Sequence, residues 1–136
     1  MTHLELFAGI GGFRRALDLL AQDGIMPFDC VGYSEIDAKA KRTYQTNYNV
    51  DGEIDMGDIV AFTSDIAQIE NLPNFDLLTG GFPCQTFSVM GGQAGFEEDR
   101  GQMFFRIMDI LKIKRPRYVL LENVKNLYRH DKGNTY

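Results

Sequence analysis

Along the chain, short apolar runs of strand length alternate with stretches in which apolar residues recur every three or four positions. Residues 3–7, His-Leu-Glu-Leu-Phe, form the first such run and end in a glycine-rich turn at residues 9–12. Phe13, Ala16, Leu17, Leu19 and Leu20 then follow at helical spacing, so strand, turn and helix succeed one another. Residues 30–34 predict a second strand, and residues 37–47 a second helix with Asp37 suited to its first turn. A turn at 49–52, a weak third strand at 53–56 and a short helix at 64–70 come next. Asn71-Leu72-Pro73-Asn74 interrupts the chain before a fourth strand at 75–79. Residues 89–101 carry Gly91, Gly92, Gly95 and Gly101 among charges, with no apolar period, which predicts a long functional loop. Met103, Phe104, Ile107, Ile110 and Leu111 share one face of a helix over 102–113, ended by Arg115-Pro116. Tyr118-Val119-Leu120-Leu121 reads as a buried strand. This alternation predicts an α/β fold, a Rossmann-like, mostly parallel sheet with helices on both faces.

Composition narrows the picture. A chain of 136 residues suits one domain, and no apolar run is long enough to span a bilayer. With no leader-like opening either, the expected location is the cytoplasm or the nucleoid. Two cysteines, Cys30 and Cys84, make no disulfide framework, and two distant histidines, His3 and His130, make no metal cluster. Acidic residues outnumber basic ones by 19 to 14. A self-sufficient nucleic-acid binder normally carries a basic face, so any phosphate attraction must come largely from elsewhere.

The chemistry concentrates at residues 76–88. An apolar segment passes through Gly80 and Gly81 into Phe82-Pro83-Cys84-Gln85. Open α/β sheets place their sites just beyond the carboxyl ends of strands. Pro83 fixes its own φ and pushes Phe82 toward an extended conformation, which constrains the direction of the side chain that follows. The glycines permit close backbone approach or a positive φ. A cysteine so held is a nucleophile wherever its thiolate is favoured; an arbitrary strand-end cysteine is packing, which is how Cys30 reads.

Gly81-Phe82-Pro83-Cys84-Gln85-Thr86-Phe87-Ser88 resembles the nucleophile motif of the C5-cytosine DNA methyltransferases. Three further stretches match that family in order: Phe7-Ala8-Gly9-Ile10-Gly11-Gly12-Phe13, Arg100-Gly101, and Glu122-Asn123-Val124-Lys125-Asn126. The resemblance spans essentially the whole chain and implies methyl transfer from S-adenosylmethionine to C5 of a cytosine in DNA. It makes Cys84 the thiolate that adds to C6, Glu122 the acid at the ring's Watson–Crick edge, and Asn123 a residue that orients the site. Gly9, Ile10, Gly11 and Gly12 would bring backbone N–H groups and a helix N-terminus to the methionine carboxylate. Their spacing departs from Gly-x-Gly-x-x-Gly, as suits a cofactor without a pyrophosphate. Glu35, about 20 residues beyond the turn, suits the ribose hydroxyls; taken alone it is a solvated acid. Resemblance gives Phe7 and Ile36 to the faces of the adenine and Asp58-Ile59 to its edge, with Gly81, Pro83 and Met103 completing the cofactor set. Family members often carry Trp where Ile36 stands, so an aliphatic contact replaces a stack there. Phe7 taken alone would be core. Gln85, Ser88 and Arg100 are implied as substrate contacts, on a loop that closes over a flipped base.

The chain stops at Asp131-Lys132-Gly133-Asn134-Thr135-Tyr136, where Asn134 or Thr135 would cap a helix that does not follow. The family's basic Gln-Arg-x-Arg motif and target-recognition region are not in it. The expectation is therefore that residues 1–136 are the N-terminal part of a catalytic domain, a truncated chain or one subunit of a split enzyme. They would act with a missing half or second polypeptide and be inactive alone. Three other readings stay open at this stage: a cofactor-binding module, an RNA methyltransferase with the same thiol chemistry, and an NAD-type dehydrogenase, disfavoured by the glycine spacing.

Overall fold

The computed structural model describes residues 1–82 and 102–123. Five parallel strands, β1 (Thr2–Leu6), β2 (Asp29–Tyr33), β3 (Ile54–Asp55), β4 (Leu77–Gly81) and β5 (Tyr118–Glu122), form one sheet in the order β3-β2-β1-β4-β5. Strand order reverses between β1 and β4. In open α/β sheets the crevice at that point, beyond the strands' carboxyl ends, is where ligands bind.

The two-residue period of β1 sorts the layers. Leu4 and Leu6 are fully buried and cluster with Leu78, Ile59, Ile69, Ile107 and Ile110. That cluster lies under α3 (Ile59–Thr63), α4 (Ile66–Asn71) and α5 (Gln102–Lys114). His3 and Glu5, also buried, face the opposite side, where α1 (Gly12–Gln22) and α2 (Ala38–Asn47) supply Arg14 and Tyr44. Helices thus cover both faces, as the alternation of elements predicts.

Several expected boundaries shift, each for a local reason. Asp37 is the N-cap of α2 rather than a first-turn residue, accepting from Lys39 N–H at 2.9 Å and Ala40 N–H at 2.7 Å. The short helix begins at Ile66 because the Asp65 carboxylate accepts from Ala67 N–H. Helix α3 was not expected at all: five residues are too few for a period to show, and its start is set by Asp58 accepting from Val60 N–H at 2.8 Å. Strand β4 runs two residues further than expected and contains both glycines, neither with positive φ. A Cβ at Gly80 would stand 3.4 Å from Leu6, an ordinary van der Waals contact. Arg115, at φ 48°, ends α5 ahead of Pro116.

The expectation of a buried last strand is wrong. β5 pairs only with β4 among the described residues, and Tyr118, Val119 and Leu120 are 53%, 45% and 54% exposed. Ile107 is fully buried and Phe104 and Leu121 pack against the core, whereas Tyr118, Val119 and Leu120 leave apolar surface uncovered. No helix among the described residues is long and apolar enough to cross a membrane.

Candidate active site

Chain direction reverses sharply at the end of β1. Phe7 adopts φ 54°, a left-handed conformation that is rare for a bulky residue and costs about 1–3 kcal/mol. Hydrogen bonds hold it there: Ser34 Oγ accepts from Phe7 N–H at 3.3 Å, and the Ser34 carbonyl accepts from Ala8 N–H at 2.9 Å. Gly9 at φ 57° and Gly11 at φ 92° complete the turn, positions at which a Cβ would be strained. α1 begins at once, so its first-turn N–H groups, which have no acceptors within the helix, are presented at the strand end.

Phe7, Ser34, Glu35, Ile36, Gly57, Asp58, Ile59 and Met103 line one cavity of about 110 Å³ beside this turn. It is smaller than the several hundred Å³ of a complete small-molecule pocket, a size that suits one ring rather than a whole nucleoside. Its walls offer apolar faces from Phe7, the 74% exposed Ile36 and Met103, with carboxylates at Glu35 and Asp58. Six of the residues expected around a cofactor are thereby brought together from the ends of β1 and β2, the start of α3 and the first turn of α5. Ile59 is divided, since its side chain also belongs to the core.

Glu35 already has two partners: Oε2 accepts from Gly9 N–H and Oε1 from Asp37 N–H, both at 2.7 Å. The carboxylate ties the glycine turn to the start of α2 and keeps lone pairs for a further donor. Ile10, Gly11 and Gly12 lie elsewhere. They line a second, wider hollow with Arg15, Asp18, Asn47 and Tyr48, and none of the three borders the first.

At the other side of the reversal, Glu122 ends β5 in register with Gly81, and a Cβ on Gly81 would lie 3.3 Å from Glu122 Oε2. Glu122 is exposed among the described residues. Asn123 Nδ2 donates to the Phe82 carbonyl at 3.1 Å, joining the end of β5 to the backbone two residues before Cys84. Pro83, Cys84, Gln85, Ser88 and Arg100, with the loop at 89–101, lie outside the described residues, as do Val124, Lys125, Asn126 and the chain end.

Beneath the turn is a polar cluster that sequence reading missed. Arg14 pairs with Glu53 at 2.8 Å, donates to Tyr44 Oη at 3.2 Å and to the Asn49 carbonyl at 3.3 Å, and stacks 5.2 Å from the Tyr48 ring. Tyr44 donates to Glu5, whose carboxyl is pushed up to about 7, chiefly by burial. His3 bonds Thr79 Oγ1 at 2.7 Å and is held down at about 4 by burial and then by the Arg14 charge. Burial, foremost, raises the Cys30 thiol to about 12. The available signal was His3 and Glu5 alternating with leucines in a strand with both faces covered, a pattern that demands buried polar partners.

A triple mutant of Spodoptera frugiperda DNMT2 superposes on this chain with a TM-score of 0.67 at 24% identity, covering 98% of this chain and 38% of that one. The likeness is one of fold, a parallel Rossmann-like sheet with helices on both faces. Sequence similarity goes further. The chain is 46% identical over 132 residues to the orphan methyltransferase M.Rho11sI of Bacillus phage rho11s, covering 97% of this chain and 24% of that protein. It is 42% identical over 135 residues to the type II methyltransferase M.HhaI of Haemophilus parahaemolyticus, covering 99% and 37%. The profile of the C-5 cytosine-specific DNA methylases matches residues 1–136, and the chain belongs to that family.

Proposed function

We propose that this chain supplies the cofactor site and the nucleophile for methylation of cytosine C5 in DNA. The observation that supports the reading is the cavity beyond the carboxyl ends of β1, β2 and β3, where Phe7, Glu35, Ile36, Asp58, Ile59 and Met103 meet. Phe7 and Ile36 take the faces of an adenine, Asp58 its edge, and Glu35 the ribose hydroxyls. Backbone N–H groups of the turn at residues 9–12 take the methionine carboxylate, with Gly81 and Pro83 at the methyl-donating end. When bound, S-adenosylmethionine supplies an electrophilic methyl group on a sulfonium.

The chain's own residues prepare the base. Cys84, as thiolate, forms a bond to cytosine C6, and the electron pair displaced from the ring moves toward N3 and leaves C5 nucleophilic. Glu122 meets the charge at N3 with a proton or hydrogen bond. Asn123 fixes the backbone before Cys84 through the Phe82 carbonyl. Once C5 carries the methyl group, loss of the C5 proton and expulsion of the Cys84 thiolate restore aromaticity. Gln85, Ser88 and Arg100 hold the flipped base and its phosphate.

The chain spans 24% and 37% of the two relatives above, carries a net charge of −5 and exposes the edge of β5. It acts with a further polypeptide segment that carries target recognition, and residues 1–136 alone show little or no methylation. Calorimetric titration tests the cofactor site: S-adenosylmethionine is expected to bind saturably, and Phe7→Ala and Glu35→Gln each to weaken it about tenfold, a loss of about 1.4 kcal/mol. Wild-type affinity in both variants would refute the assignment.

A further inference from the structure

We infer that Tyr48 is a positioning residue for the cofactor's amino-acid end, acting through the Gly11 peptide; this rests on the cofactor reading above. Tyr48 is the C-cap of α2, far along the chain from the turn, and its hydroxyl donates to the Gly11 carbonyl at 2.8 Å. The same carbonyl accepts the first helical bond, from Arg15 N–H at 2.9 Å, so both of its lone pairs are engaged. Its ring fills the space beside Gly11: a Cβ there would lie 2.2 Å from Tyr48 Cε2. The ring is itself held by the Arg14 guanidinium, 5.2 Å from its centroid, and by Tyr44 at 5.0 Å.

The consequence follows from peptide geometry. In a trans peptide the carbonyl and the next N–H point in opposite directions. Anchoring the Gly11 carbonyl inward therefore directs Gly12 N–H outward, among the first-turn donors at the α1 N-terminus that suit an anionic group. Glu35 fixes the other left-handed glycine by accepting from Gly9 N–H. The segments flanking α2 thus clamp the two ends of the turn, and Tyr48 governs the end nearest the carboxylate-binding donors. Residue type and position give no hint of this, because Tyr48 follows the last helical residue and reads as a surface aromatic.

Tyr48→Phe deletes the hydroxyl and keeps the ring. Calorimetry on the 136-residue chain would compare two ligands, S-adenosylmethionine and 5′-methylthioadenosine, which shares the adenosine and sulfur but lacks the amino-acid group. Loss of one hydrogen bond is expected to raise the Kd for S-adenosylmethionine about three- to tenfold and leave methylthioadenosine unchanged. Phe7→Ala, at the adenine end, is expected to weaken both. Equal weakening of both ligands by Tyr48→Phe would mean a general structural role and overturn the inference, as would no change in either. A wild-type chain that binds neither nucleoside would overturn the cofactor reading, and the inference with it.

Discussion

At Gly81 the absent side chain leaves room for the Glu122 carboxylate, so a methyl group there acts directly on the proposed acid. Gly81→Ala is expected to displace Glu122 by a few tenths of an ångström and to lower methyl transfer in a complemented enzyme about tenfold. Stability should change by less than about 1 kcal/mol, because the atom that must yield ends a flexible side chain. Unchanged turnover with a correctly folded variant would separate Glu122 from the reaction. Some of this site was legible from residues alone and some was not. Glu35 could be named because it ends a strand after a marked glycine turn, and Phe7 and Asp58 could be named only through the family resemblance. Their present bonds could not. The Glu35 carboxylate accepting from Gly9 and Asp37, or the left-handed φ of Phe7, depends on how two strand ends meet, which no local pattern records.

Among the elements, those with a period were readable and those without were not. α1 and α5 have enough turns to show an apolar face and α2 is marked by Asp37 at its start, while α3 has five residues and a cap as its only signature. β5 shows the complementary failure. Its apolar run is that of a strand covered on both faces, yet Tyr118, Val119 and Leu120 are exposed, because burial depends on neighbours and not on the run itself. An unpaired, apolar edge invites association. Leu120→Lys is expected to reduce self-association of the 136-residue chain in sedimentation velocity, with thermal stability kept, since the side chain is already half in solvent. Identical sedimentation of wild type and variant would show that this edge is not the adhesive surface.

Across the whole molecule, buried His3 and Glu5 give stability a pH dependence with two opposing parts. His3 titrates at about 4 in the fold against 6.5 ordinarily, so it is neutral when folded and costs stability as pH falls from 6.5 to 4. Glu5 titrates at about 7 against 4.5, so it is protonated when folded and costs stability as pH rises from 4.5 to 7. Each contribution is at most on the order of 3 kcal/mol, and they offset between 4.5 and 6.5. Glu5→Gln should remove the second, leaving stability in urea that climbs steadily from pH 4 to 6.5; a profile matching wild type would contradict the assignment. The parallel pairing of β1 with β4 brings the turn at residues 9–12 and the backbone before Cys84 to the same end of the sheet. The claim that this arrangement serves cytosine methylation is tested most directly by trapping. With S-adenosylmethionine and a complementing C-terminal segment, DNA carrying 5-fluorocytosine should form a stable adduct, because fluorine at C5 cannot leave as a proton. Mass spectrometry is expected to locate that adduct on Cys84 and to find none in Cys84→Ser, whose hydroxyl is a far weaker nucleophile. An adduct that persists in Cys84→Ser, or one mapped to another residue, would contradict the account.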